Sequence, residues 1–117
     1  MSVQLVLVPA AMAQANPKWI RVAVVQEDPA VELQIHGRFT MQALHTGDAI
    51  GQGRRLPPLE VRAVTEGLAI GEAVMPYFGI RIEPAGDATI NVNGRRLRGT
   101  IEIIRQKNLT LLVVNHL

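Results

Sequence analysis

The densest group of chemically capable side chains in this sequence is Arg95-Arg96-x-Arg98, set directly after an Asn93-Gly94 pair. On a strand, residues two apart share a face, so Arg96 and Arg98 are expected to point the same way. Guanidinium groups match planar anions such as carboxylates and phosphates. Arg95, Arg96 and Arg98 therefore form the best binding candidate, toward an anionic polymer, a glycan or a protein partner. The competing reading is a charged strand face that blocks edge-to-edge aggregation. No aromatic platform accompanies the cluster, so nucleic acid is not an expected ligand.

Catalytic chemistry has little material. Cysteine is absent, which excludes disulfides and thiolate nucleophiles. The only serine is Ser2, so a Ser-His-Asp arrangement has no nucleophile in the body of the chain. His36, His45 and His116 lack the close spacing of a metal motif and are expected at the surface. Glu60, Glu66, Glu72, Glu83 and Glu102 are scattered, mostly on the wet faces of strands, and nothing in their spacing pairs two of them for glycoside chemistry. Gly51-x-Gly53 lacks the lysine and following helix of a phosphate cradle. No catalytic residue, metal site or cofactor is implied.

The elements that position these residues are strands. Aromatic residues make up 3% of the chain, so the core must be built from Val, Ile, Leu and Ala. Lys18–Val25 reads as a strand apolar on both faces, and Gln26–Pro29 as a turn. Val31, Leu33 and Ile35 alternate with polar residues, as do Phe39, Met41 and Ala43, with a turn at His36-Gly37-Arg38 between the two runs. Thr46–Pro58 reads as a loop, with Gly51–Arg55 its most flexible part. Leu59–Val64 alternates, Glu66-Gly67 turns, and short runs follow at Leu68–Ile70 and Ala73–Met75. Phe78, Ile80 and Ile82 point one way. Pro84–Asp87 is a turn into Ile90 and Val92. Asn93-Gly94 fits a type I′ hairpin turn. Leu97, Gly99, Ile101 and Ile103 then share a face, opposite Arg96, Arg98, Thr100 and Glu102. Gln106–Asn108 is a turn, and Leu109–Val114 is a strand covered on both sides.

Many short strands with turns every six to twelve residues predict an all-β fold: a compact sandwich or barrel-like domain of mainly antiparallel strands. The expected organisation is a single domain over residues 16–117. Residues 1–15 read either as the remnant of an export signal or as a tail that is disordered or pairs as a strand. Val3–Ala11 is apolar, and Ala11-Met12-Ala13 and Ala13-Gln14-Ala15 fit small-x-small cleavage sites, but a basic leading segment is missing. That run is too short for a transmembrane span. The net charge of +2 sets no partner by itself.

The segment Val92–Leu117, VNGRRLRGTIEIIRQKNLTLLVVNHL, resembles the entry into the SpoIID/LytB family (stage II sporulation protein D and amidase enhancers). The matching residues are Val92, Asn93, Gly94, Arg95, Arg98, Gly99, Leu109, Thr110, Val113, Val114, Asn115 and Leu117. More loosely, Trp19–Val25 is similar to the family's first strand, and His36–Phe39 to a turn after its second. The resemblance implies an exported, cell-envelope protein concerned with peptidoglycan remodelling, as a lytic transglycosylase or amidase enhancer. The family's catalytic glutamate lies beyond the segment matched by Leu117, and His116 stands where the family commonly has an acid. The chain is therefore expected to be a non-catalytic β scaffold, with peptidoglycan or cell-wall proteins as partners. A stand-alone binding module, an unrecognised β-barrel enzyme and a domain that self-assembles by strand pairing remain open.

Overall fold

The computed structural model describes Leu5, Val6 and residues 20–117. The strands are β1 (Leu5–Val6), β2 (Arg21–Asp28), β3 (Ala30–Ala43), β4 (Ala49–Val64), β5 (Gly67–Ile70), β6 (Ala73–Met75), β7 (Gly79–Pro84), β8 (Thr89–Val92), β9 (Arg95–Leu97), β10 (Thr100–Arg105) and β11 (Leu111–His116). All pair antiparallel in one continuous sheet, ordered β1-β2-β11-β10-β7-β3-β4-β5-β6, with β8 and β9 branching from β3. The described residues contain no helix, in keeping with the expected all-β class. Apart from β1, the expected tail over residues 1–15 lies outside the described residues, as do Lys18 and Trp19 of the expected first strand.

The branch at β3 organises everything else. The expected turn at His36-Gly37-Arg38 is instead a bulge inside one 14-residue strand. Its first half, Leu33–His36, pairs with β8, and its second half, Phe39–Ala43, pairs with β7. Gly37 makes the bend possible. Its φ of 106° suits glycine, and a Cβ there would stand 2.7 Å from the Ala88 side chain. The β7–β8 turn sits in this corner, where the Ala85 amide donates to the Arg38 carbonyl at 2.9 Å. A bulge bends its strand without ending the pairing, so β3 carries both branches of the sheet.

β3 also explains why the glycine- and proline-rich run is not a loop. Residues 49–64 form β4, paired along the length of β3, with Gly53 opposite Phe39 and Arg55 opposite His36. Pro57 and Pro58 fall where the register shifts, a position that tolerates a missing amide donor. The long partner supplies the hydrogen bonds that local propensity disfavours.

The inward residues of both halves meet in one core. Leu33, Ile35, Ile80, Ile82, Ile90, Ile101, Ile103 and Leu111 are all fully buried there. Each such side chain contributes roughly 1.5–3 kcal/mol through burial, so aliphatic residues replace the missing aromatics. Phe78 does not join them. It precedes β7, is exposed, and lies under the Arg105 guanidinium at 4.8 Å. Arg105 also donates to the Val64 and Thr65 carbonyls at 3.1 and 3.3 Å, tying β10 to the β4–β5 turn.

Three further expectations change. The turn expected at Gln26–Pro29 tightens, because β2 runs to Asp28 and Glu27, at a φ of 61°, lies at a register shift against β11. The strand expected from Leu97 to Ile103 breaks at Arg98-Gly99. The last strand starts at Leu111, since Leu109 adopts a φ of 59° and remains exposed.

Gly37→Ala is predicted to destabilise the fold by about 2–4 kcal/mol, through backbone strain and overlap with Ala88. Chemical denaturation measures this directly. A change below 0.5 kcal/mol would mean that the corner needs no glycine.

Candidate functional site

Asn93 and Gly94 take φ values of 52° and 78°, the pair of positive angles that a type I′ turn requires. The turn is also anchored from outside. The Asn93 amide donates to the Glu32 carbonyl, and the Glu32 amide donates to Asn93 Oδ1, both at 2.8 Å. This fixes β9 and its arginines relative to β3. Arg96 lies opposite Asn91, on the outward face, whereas Arg95 lies opposite Val92, whose side chain is buried. The hairpin therefore separates Arg95 from Arg96. Arg98 is exposed in the break before β10, and its carbonyl accepts from Asn115 Nδ2 at 2.6 Å.

The register brings other residues to Arg96 that sequence reasoning did not join to it. One row across the outward face is Gln34–Asn91–Arg96, on β3, β8 and β9. The next row is Arg55–His36–Thr89, on β4, β3 and β8. Beyond the first row lie Glu32 and Glu60, directly opposite each other, with Arg62 bridging to Glu60 at 3.2 Å. The face is thus basic and amide-rich in two rows and acidic in the third. Its one hydroxyl among these rows is that of Thr89, directly opposite His36. The two carboxylates stand on an open sheet face rather than across a cleft.

A second cluster was missed altogether. Glu102, expected on a wet face, is buried with a side chain only 7% exposed. Arg81 on β7 is its cross-strand neighbour and donates to Oε2 through Nε and Nη2 at 3.2 and 2.8 Å. His116, expected at the surface, brings Nε2 to 3.0 Å from Oε1, with its side chain 14% exposed. Burial pushes the Glu102 carboxyl up, but the hydrogen bonds and charges of Arg81 and His116 outweigh this and hold it below its ordinary value. One signal was present in the sequence: β11 is apolar on both faces, so its neighbour β10 has no fully wet side.

The other acids singled out, Glu60, Glu66, Glu72 and Glu83, are exposed. His36 and His45 are exposed as expected. Among the described residues no group of three or more His, Asp or Glu could hold a metal ion. A depression of about 580 Å3 crosses β2, β11 and the β10–β11 loop, floored by Ala23, Leu112 and Val114 and edged by Arg21, Glu27 and Lys107. No helix among the described residues is long and apolar enough to cross a membrane. Comparison with family models, curated proteins and solved structures returns no match for this chain.

The Glu102 cluster sets a pH dependence. A carboxyl lowered in the folded state adds stability that is complete above the ordinary value of 4.5 and is lost as pH falls through the folded value. Glu102→Gln is therefore predicted to flatten the loss of stability below that value, measured as denaturation midpoint against pH. Arg81→Ala is predicted to cost about 1–3 kcal/mol at neutral pH, less than a fully buried pair because the guanidinium partly faces water and His116 remains. An unchanged acid profile in Glu102→Gln would remove this cluster from the acid response.

Proposed function

We propose that this chain is a non-catalytic β scaffold of the SpoIID/LytB type, serving peptidoglycan remodelling at the cell envelope. The observation that carries this reading is the junction between the two halves of the resembling segment. Asn115 Nδ2 donates to the Arg98 carbonyl at 2.6 Å and lies 3.4 Å from that of Thr100. Gly99, at a φ of 86°, has no room for a Cβ because the His116 carbonyl oxygen occupies its place. Asn93 and Gly94 form the turn that Glu32 anchors. Asn93, Gly94, Gly99 and Asn115, four of the residues behind the resemblance, are thus occupied with holding the two hairpins in place, which is what a scaffold requires of them. None of them is poised as an acid or a nucleophile.

A second reading, assembly by strand pairing, is favoured by one feature. The outer edge of β4 over residues 49–59 has no strand partner among the described residues, since β5 covers only Val61–Val64. Light scattering separates the two readings: the scaffold reading predicts a monomer, and a dimer that grows with concentration favours assembly.

Purified peptidoglycan incubated with the isolated chain is predicted to release no anhydro-muropeptides. Release at enzyme-like rates would overturn the non-catalytic reading. Asn115→Ala is predicted to lower stability by about 1–3 kcal/mol. A negligible change would deprive the junction of its scaffolding role.

A further inference from the structure

We infer that the outward face of β3, β4, β8 and β9 is a binding site for an acidic glycan, held by Arg55, Asn91 and Arg96 with Gln34, His36 and Thr89 between them. This goes beyond the scaffold reading, since a scaffold needs no ligand of its own.

Arg55 and Arg96 lie on strands three intervals apart and in adjacent rows, a separation of about 14 Å across the strands and about 7 Å along them. No single phosphate or carboxylate bridges that distance, but an extended polymer with spaced acidic groups does. Both arginines are exposed, and neither is held in a salt bridge with a described residue. Between them stand Gln34, Asn91 and Thr89, half-buried amide and hydroxyl groups suited to sugar hydroxyls and acetamido groups.

An independent observation singles out Asn91. Its Oδ1 is sheltered from water and accepts no hydrogen bond. A sheltered acceptor without a donor is unfavourable, and a ligand hydroxyl or amide N–H satisfies it once the half-buried Asn91 side chain turns outward to meet it. Arg96, its direct neighbour, is exposed and has the rotamer freedom to swing toward an anion as the donor enters. A carboxylate for the guanidinium and a hydroxyl or amide donor for Asn91 together describe an acidic sugar.

The adjoining acidic row limits the ligand. Glu32 and Glu60 repel an anion laid along the strands toward Arg62. The chain of sugars must therefore cross the strands, from β4 to β9, within the two basic rows. A flexible nucleic acid would need stacking platforms, and this face offers no Phe, Tyr or Trp among the residues named.

The test uses three probes of matched length on the full chain: a hyaluronate oligosaccharide, a neutral N-acetylglucosamine oligomer and oligothymidylate, each by calorimetry at low and moderate salt. The acidic glycan is expected to bind roughly tenfold more tightly than either of the others. The double variant Arg55→Gln/Arg96→Gln is expected to lose at least that factor, and Asn91→Ala to weaken binding of the glycan alone. Arg95→Gln, on the opposite face, is expected to change nothing. Absence of glycan binding overturns the inference. So does oligothymidylate binding equally well, or Arg95→Gln being as harmful as the double variant, since either outcome reduces the face to unspecific positive charge.

Discussion

The bend of β3 at Gly37 is the constraint on which the rest of this structure depends. One strand pairs with β8 before the bend and with β7 after it. Each half would be a small sheet with one apolar face and little to pack against. Joined through β3, their inward residues bury one another in a single core. The geometry is possible only because glycine accepts the corner conformation and leaves space for Ala88. Secondary interactions then lock the arrangement. Asn93 ties the β8–β9 turn to Glu32, Asn115 ties β11 to the chain entering β10, and Arg105 ties β10 to the β4–β5 turn.

Polar residues divide into two kinds within this frame. Arg81, Glu102 and His116 form a sheltered ionic cluster whose carboxylate is stabilised by its neighbours. Desolvation offsets much of the attraction in such a cluster, so removing one partner costs more than the intact cluster adds. Gln34, Asn91, Arg55 and Arg96 stand instead on an outward face, with an acceptor left unpaired at its centre. The first cluster is satisfied within the protein; the second has chemistry left over for a ligand.

Much of this was legible from alternation alone. Val31, Leu33, Ile35, Ile80, Ile82, Ile90 and Val92 were expected to face inward and do so. The Asn93-Gly94 turn follows from the φ preferences of two residues. What sequence could not supply was non-local pairing. The run Gly51–Pro58 has the composition of a loop and becomes a strand because β3 offers it a partner. His36-Gly37-Arg38 has the composition of a turn and becomes a bulge because the chain on both sides is paired to β4. Glu102 obeys the expected alternation, yet its burial depends on Arg81 and His116, which are 21 and 14 positions away in the chain. The arginine cluster was visible, but only register shows that Asn91, Gln34 and Arg55 lie on the face of Arg96.

The central claim is that β3 is one continuous element uniting both branches of the sheet. Native-state hydrogen exchange tests it most directly. Amides of Leu33–Ile35 and of Phe39–Met41 that bond within the sheet are predicted to open with one common free energy, equal to that of global unfolding. A lower opening free energy on one side of Gly37, with the other side still protected, would show two separately cooperating halves and contradict the account.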